Sequence, residues 1–360
     1  MKVAIVHYWL VKMRGGENVL EAICELFPQA DIYTHVYCPE NISDVINSHH
    51  VHTTFIQKLP FSNRLYQSYL PLMPWALSRL DLSEYDLVIS CESGPAKGVK
   101  VSADARHVCY CHTPMRYVWD MYEEYRSNAG LLARIMLPLL INWLRRWDKA
   151  TSEGVDQFIA NSRFVQQRIK NIYGRESTVV YPPVAVNDFK VSEGNEEYYL
   201  YAGELTHYKQ PQLAVEAFNR SGRKLVVIGE GPIGEELKMS AQSNIQFLGR
   251  QSFDQLKVHF SQCKALIFPG IEDFGIIPVE VMASGRPVIA FREGGALETV
   301  VEYETGLFFS EPTPDSLNSA INKFESDEVH FESSAIRQLA GRFSKQRFMS
   351  EMREMLDLTV

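Results

Sequence analysis

Two carboxylates, Glu272 and Glu280, stand eight positions apart in GIEDFGIIPVEVMASGRPVIAF, residues 270–291. Pro278 follows a glycine-containing turn and suits the first turn of a helix, where no N–H is needed. The pattern predicts a turn at Phe274 and Gly275, followed by a helix with Pro278 and Glu280 in its first turn. Free N–H groups at such a start bind phosphate, and the helix dipole favours an ionised Glu280. An ionised carboxylate accepts hydrogen bonds from the vicinal hydroxyls of a sugar.

Two other interpretations of these acids were weighed. A carboxylate that merely stabilises a helix would explain Glu280 but not Glu272 and the glycine turn. A glycosidase pair flanks the scissile bond directly, whereas here one acid is expected to bind hydroxyls beside a phosphate site. Lys209, in GELTHYKQ, supplies a cation for a diphosphate leaving group, although an exposed lysine alone is usually just solvated.

The surrounding elements are short apolar runs that alternate with amphipathic helical segments in both halves of the chain. Continuous apolar runs are typical of buried parallel strands, and their alternation with helices predicts two doubly wound α/β domains. Glu272 and Lys209 each follow a predicted strand, at the sheet edge where such domains bind ligands. The predicted strands are VAIVHY, ADIYTHV, YDLVIS, HVCYCHT, QFIANS, TVVYPP, YYLYAG, KLVVIG, IQFLG, ALIFPG, PVIAF and GLFFS.

The 360 residues are too many for one ordinary core. Pro182, Pro183 and the acidic stretch at 192–197 predict the boundary between two domains. We expect an N-terminal domain at 1–187, a C-terminal domain at 188–342, and a final helix at 343–360 that packs back on the first domain.

The net charge of −8 argues against nucleic acid as a partner. None of the six cysteines forms a C-x-x-C pair, which predicts buried free thiols in a reducing compartment rather than a zinc site. The N-terminus begins directly with a strand-like run, so no signal peptide is expected and the predicted location is the cytoplasm. The longest apolar stretch, 130–147, is too short and interrupted to span a membrane.

Together, the motifs resemble the retaining glycosyltransferases of family 4, which have the GT-B architecture of two Rossmann-like domains facing a central cleft. The resemblance covers nearly the whole chain. The combination of motifs is specific to this family, although no single motif is. More narrowly, it extends to mannosyltransferases of bacterial surface polysaccharide (O-antigen type) assembly. The motifs are the E-x7-E pair, DFGIIPVEVMASGRPVIA, YKQPQLAVEAFN, KLVVIGEGP, FLGR, GGEN, YDLVISCESGPAKGV, CHTPMRYVWD, FIANSRFVQQRIKNIYG and VVYPPV.

The resemblance implies a nucleotide-sugar donor site. Lys209 would neutralise the diphosphate, Glu280 would bind the ribose hydroxyls and Glu272 would face the transferred sugar. The remaining donor-site positions are Arg250 near the base, the turn at Phe274, and the backbone N–H groups of Gly275, Ile276 and Ile277. In the first domain, the implied residues are His112 near the reacting sugar, the loop of Gly15 and Gly16 under the diphosphate, and Arg116, Asn161 and Ser162 on the acceptor side.

Each position in the first domain also has a structural interpretation: His112 as a buried turn histidine, Gly15 and Gly16 as a plain turn, and Asn161 with Ser162 as a helix cap. The chain departs from the family at Glu204, where an arginine usually pairs with the lysine on the diphosphate. A carboxylate cannot bind phosphate directly, so another arginine must compensate or Glu204 must orient Lys209 instead.

The implied activity is retaining transfer of a hexose, with GDP-mannose the preferred donor, to a glycan or polyprenyl-linked acceptor. Lys209, Glu272 and His112 are the candidate catalytic residues, and no metal or other cofactor is expected. Two alternatives stay open: a nucleotide-sugar 2-epimerase, and a non-catalytic sugar-binding protein. The apolar and basic segment 126–149 further suggests a helix lying on the inner face of the cytoplasmic membrane, against the alternative that it packs into the first domain.

Overall fold

The computed structural model describes residues 1–92, 94–120, 131–192, 194, 197–326 and 328–358, with backbone alone at 92 and 131–137. The chain divides into two compact units. One comprises Met1–Pro182 with Met349–Val360, and the other is Pro183–Phe348.

The first unit is built on a parallel sheet of seven strands within the described residues, in the order β3-β2-β1-β4-β5-β6-β7. The interior strands are almost wholly buried, as their apolar runs predict. The edge strand β3 was missed by the sequence analysis, because its HVHT sequence is polar and half-exposed. The strands are β1 Val3–His7, β2 Asp31–Thr34, β3 His50–Thr53, β4 Leu87–Glu92, β5 Arg106–Cys111, β6 Gln157–Ala160 and β7 Ser177–Val179.

The second unit contains a parallel sheet of six strands among its described residues, in the order β10-β9-β8-β11-β12-β13. Both strand orders reverse direction once, beside β1 and beside β8, so the predicted pair of doubly wound α/β domains is confirmed. The strands are β8 Tyr199–Ala202, β9 Leu225–Ile228, β10 Ile245–Gly249, β11 Leu266–Phe268, β12 Val288–Phe291 and β13 Gly306–Phe309.

Helices connect the strands in both units, and their ends follow local sequence signals. The Ser162 hydroxyl caps α7 by accepting from the Val165 N–H, and Gly174 ends that helix in the left-handed conformation. The helices are α1 Gly15–Leu26, α2 Asp44–Asn47, α3 Ser62–Leu65, α4 Met73–Leu77, α5 Arg116–Trp119, α6 Leu131–Thr151, α7 Arg163–Tyr173, α8 Pro211–Ser221, α9 Gly234–Ser240, α10 Phe253–Gln262, α11 Ile276–Ala283, α12 Ala296–Thr299, α13 Pro314–Phe324, α14 Ser333–Ala340 and α15 Lys345–Met355.

Helix α6 carries most of the segment for which membrane contact was predicted. Positions 126–130 lie outside the described residues, and only the side chains from Pro138 onwards are described. Ile141 and Leu144 are buried with Met115 and Val118, so one face of the helix packs into the first unit. Leu139 and Trp143 are 66% and 45% exposed, so apolar side chains also face solvent.

A buried ion pair links α6 to the turn that follows β4 in the first unit. The Lys97 ammonium contacts the Asp148 carboxylate, and both side chains are fully buried. The second carboxylate oxygen of Asp148 accepts hydrogen bonds from Trp119 Nε1 (2.7 Å) and the Tyr173 hydroxyl (2.9 Å). These donors satisfy the buried charge, which would otherwise be costly to remove from water.

The end of the chain contacts the first unit. Arg106 pairs with Asp357 at 2.9 Å and donates to the Met355 carbonyl at 3.0 Å. All six cysteines are buried thiols that form no disulfide within the described residues, as their spacing predicted. Within the described residues, no helix combines the length and the apolar character needed to cross a membrane.

Candidate functional site

The second unit brings Lys209 and Glu272 together where its strand order reverses. Strands β8 and β11 are neighbours, and the loops after their carboxyl ends carry Lys209 and Glu272 respectively. Lys209 Nζ lies 2.8 Å from Glu272 Oε1, and both side chains are mostly buried. Burial alone would lower the pKa of Lys209, but the charges of Glu272, Tyr208 and Glu204 outweigh it and raise that pKa. A permanent cation therefore stands at the ligand-binding edge of the sheet.

Helix α11 starts beside this ion pair and leaves N–H groups available. Gly275 precedes it with φ +84°, a left-handed conformation that glycine adopts without strain. The half-buried Ile276 and Ile277 are its first two residues. Within the described part of the chain, no backbone carbonyl outside helix α11 accepts a hydrogen bond from the N–H groups of Gly275, Ile276 and Ile277. Such a helix start suits an anion such as phosphate.

Glu280 differs from its prediction in position and in charge. Since the helix begins at Ile276, Glu280 is its fifth residue and lies in the second turn, not the first. Its half-buried carboxyl has no hydrogen-bond partner among the described side chains, and desolvation raises its pKa to about 8. The expectation that the dipole keeps this acid ionised is therefore wrong, because the dipole acts mainly on the first turn and burial prevails.

Glycines allow the loops around this ion pair to pack backbone against backbone. A Cβ at Gly229 would lie 1.8 Å from the Gly203 carbonyl oxygen, and one at Gly270 would lie 2.7 Å from Lys209 Cα. A Cβ at Gly294 would lie 2.6 Å from the Glu272 carbonyl oxygen. The sequence analysis missed Gly294, because a glycine in a βα turn does not show which loop it packs against.

The other predicted donor-site residues surround this centre in different ways. Phe274 is buried against Phe343, with ring centroids 5.3 Å apart, so its side chain anchors the loop. Glu204 is exposed, and its charge makes a small contribution to the raised pKa of Lys209, after those of Glu272 and Tyr208. Arg250 is exposed and directly follows β10 at the carboxyl end of that strand.

The first unit has a corresponding cluster where its own strand order reverses, beside β1 and β4. His112 follows β5, and its Nε2 lies 3.3 Å from Cys91 Sγ at the end of β4. A Cβ at Gly16 would lie 3.5 Å from the same nitrogen. Burial, with a smaller contribution from His7, lowers the pKa of His112 to about 3. The imidazole is therefore neutral at physiological pH and acts as a hydrogen-bonding group rather than a cation.

Two buried polar residues in this cluster were missed by the sequence analysis. His7 ends β1, and its Nε2 lies 3.5 Å from Glu17 Oε1, with both side chains at most 2% exposed. His7 Nδ1 is also 2.9 Å from the Cys91 carbonyl oxygen. His7 lies within an apolar run and Glu17 lies inside GGEN. Neither pattern indicates their contact, because only the fold brings β1 and α1 together at this edge.

The predicted acceptor-side residues lie near the loop after β5, to which Arg168 is hydrogen-bonded. Arg168 donates to the Thr113 hydroxyl at 3.2 Å, directly after His112. Arg116 is the half-buried first residue of α5. Ser162 is fully buried and caps α7, while its hydroxyl also donates to the side-chain oxygen of the buried Asn161 at 3.1 Å. The helix-cap interpretation therefore describes what Ser162 does in this structure.

Comparisons with known proteins agree with this architecture. Residues 13–188 match the Glycosyltransferase Family 4 model, and residues 186–342 match Glycosyl transferases group 1. Alpha-1,3/1,6-mannosyltransferase ALG2 of Dictyostelium discoideum is 25% identical over 301 residues, which cover 69% of this chain and 68% of ALG2.

The O-antigen chain mannosyltransferase RfbU of Salmonella typhimurium is 26% identical over 190 residues, 48% of this chain. That match spans about half of RfbU, at 54%. The crystal structure of Anabaena Alr3699/HepE in complex with UDP and glucose aligns with a TM-score of 0.72 at 17% identity, over 99% of both chains. Since adjoining family models together match residues 13–342, the chain belongs to glycosyltransferase family 4, and its two parallel sheets are those of a GT-B fold.

Proposed function

We propose that the protein is a retaining hexosyltransferase that uses a nucleoside diphosphate sugar, with mannose the preferred sugar. The acceptor is a hydroxyl of a glycan or of a polyprenyl-linked glycan in bacterial surface polysaccharide assembly. The observation that carries the proposal is the contact of Lys209 with Glu272 beside the start of α11, where the N–H groups of Gly275, Ile276 and Ile277 lie. A cation and a helix start together suit a diphosphate leaving group.

The reaction proposed is a front-face substitution. The bond between the anomeric carbon and the β-phosphate oxygen breaks, while the acceptor oxygen bonds to the same carbon on the same face. The departing phosphate oxygen takes the proton of the acceptor hydroxyl, so no separate base is needed. Lys209 and the helix N–H groups stabilise the charge that develops on the diphosphate, and Glu272 orients the Lys209 ammonium.

The preference for mannose rests on the relatives, since ALG2 and RfbU are both named as mannosyltransferases. HepE was crystallised with UDP and glucose. UDP-glucose therefore belongs beside GDP-mannose in any donor panel.

The test is release of nucleoside diphosphate from a panel of nucleotide sugars, with and without glycan acceptors, followed by NMR of the product. We expect acceptor-dependent release and an anomeric configuration equal to that of the donor. Conversion of the donor sugar to its epimer in the absence of an acceptor would indicate an epimerase. Binding without turnover across the panel would indicate a sugar-binding protein, and an inverted product would refute retention.

We further propose that α6 contacts an anionic membrane through its outer face, which keeps a lipid-linked acceptor near the protein. The exposed Leu139 and Trp143 would enter the interface, and the exposed Arg146 would meet acidic headgroups. In flotation at low salt, wild type should rise with anionic liposomes, and Trp143→Ser combined with Arg146→Glu should not. Lys238→Glu, an exposed change in the second unit, is the matched control. Wild type that stays at the bottom of the gradient refutes membrane contact.

A further inference from the structure

Three side chains with metal-binding atoms meet at the edge of the first unit's sheet. His50 and His52 are two positions apart on the edge strand β3, so both point to the same face. Asp31 begins the neighbouring strand β2 and pairs in register with His50. The sequence analysis missed strand β3, because its sequence is polar. The proposed glycosyl transfer uses none of Asp31, His50 and His52.

The distances between the three side chains suit a common ion. Asp31 Oδ1 lies 3.4 Å from His50 Nδ1 and 3.7 Å from His52 Nε2. One ligand atom from each residue can be chosen so that all three lie within 4.8 Å of one another. Zinc bonds of 2.0–2.1 Å in tetrahedral geometry separate ligand atoms by roughly 3.3 Å. The two separations from Asp31 Oδ1 are close to that value. A small rotation of the exposed His50 ring adjusts the third separation, between the nitrogens of His50 and His52.

A second layer of contacts already orients two of the three ligands. The Tyr85 hydroxyl donates to Asp31 Oδ2 at 2.7 Å, which leaves Oδ1 directed at the two imidazoles. The Tyr33 ring stacks on His52 with centroids 4.6 Å apart and planes 12° apart. The hydroxyls of Tyr33 and Tyr85 are themselves 2.9 Å apart. Partners of this kind fix ligand orientation at metal centres.

The charge around the cluster also suits a cation. The Lys2 ammonium is paired with Glu84 at 2.5 Å, so Glu84 offsets its positive charge. A divalent ion bound by one carboxylate and two neutral imidazoles would therefore meet acidic groups on this side of the sheet. Imidazole and carboxylate ligands together are typical of zinc and its first-row neighbours rather than calcium or magnesium.

We propose that Asp31, His50 and His52 bind one divalent transition-metal ion of the zinc class, with water in the remaining coordination position. The site lies on the sheet of the first unit, whereas Lys209, Glu272 and helix α11 belong to the second unit. The proposed role of the metal is structural, since it would join β3 to β2 in addition to their backbone pairing and the stacking of Tyr33 on His52.

The test is calorimetry of the full-length, untagged chain with Zn²⁺ and Co²⁺. Wild type should bind one ion per chain, and His52→Ala and Asp31→Asn should each abolish that isotherm. Tyr85→Phe, which removes the hydroxyl that donates to Asp31 and contacts the Tyr33 hydroxyl, should weaken binding by about 10–100-fold. His330→Ala, which removes an exposed histidine elsewhere, is the matched control and should bind like wild type.

Circular dichroism of each variant distinguishes lost ligands from lost folding. His50 and His52 are solvent-accessible, so folded variants are expected. Folded His52→Ala that binds Zn²⁺ as tightly as wild type would overturn the proposal. So would wild type that binds no more ions than the folded Asp31→Asn variant, because the three side chains would then form only an ion-pair cluster.

Discussion

The raised pKa of Glu280 makes donor binding depend on pH in a way that calorimetry can detect. The carboxyl is desolvated, with a pKa of about 8 in the free protein, so it carries its proton at pH 7. Ribose hydroxyls that donate to Glu280 stabilise the ionised form and lower this pKa in the complex. Binding of the nucleoside diphosphate at pH 7 should therefore release a proton.

The magnitude follows from that pKa. At pH 7, a group with a pKa of about 8 is roughly nine-tenths protonated, so about 0.9 proton leaves on binding. Affinity should rise about tenfold between pH 7 and pH 9, which corresponds to ~1.4 kcal/mol. Lys209 and His112 do not interfere in this window, because the pKa of Lys209 is raised above its ordinary value and that of His112 is about 3.

The assay is titration of nucleoside diphosphate in two buffers of different ionisation enthalpy, at pH 7 and pH 9. The number of protons released is obtained from the difference in apparent enthalpy. Glu280→Gln is the matched control, since it keeps the shape but cannot titrate, and it should lose both the proton release and the tenfold rise. Equal proton release by wild type and Glu280→Gln would refute the role of Glu280 in binding hydroxyls.

Three further predictions follow from the first unit. His112→Ala should keep the fold but lose most turnover, and near-native rates in the variant would remove His112 from the reaction. The wild-type pH–rate profile should show no step from His112 between pH 5 and pH 8, because the pKa of His112 is about 3. Lys97→Met should cost about 3–5 kcal/mol of unfolding free energy in urea denaturation, because it leaves the Asp148 charge buried without its cation. Gly98→Ala should also lower the urea midpoint, because a Cβ there would lie 2.2 Å from the Trp147 ring, and an unchanged midpoint would contradict that packing.

The fold was predictable because buried parallel strands have continuous apolar sequences, which stand out whatever their neighbours are. Every predicted run overlaps a strand, and the loops with Lys209 and Glu272 follow β8 and β11 as expected. Strand β3 was not predictable on the same ground, since its exposed face carries His50 and His52. An edge strand needs only one neighbour, so its sequence is less constrained.

The site was predictable only in part, because proximity in space depends on contacts that sequence spacing does not contain. The E-x7-E spacing located Glu272 and Glu280, but the helix begins at Ile276, directly after the left-handed Gly275, so Glu280 lies in the second turn. His7 and Glu17 gave no signal, since each is a single polar residue whose partner lies on a different element.

The central claim is that Lys209, with Glu272 and the start of α11, binds the diphosphate of a sugar donor. The most direct test compares nucleoside diphosphate affinity in wild type, Lys209→Met and the control Lys238→Met, an exposed lysine of the same unit. Losing a charge-assisted bond of about 1.5–3 kcal/mol should weaken binding by Lys209→Met about 10–150-fold, while Lys238→Met binds like wild type. A folded Lys209→Met protein that binds the diphosphate as tightly as wild type would contradict the account.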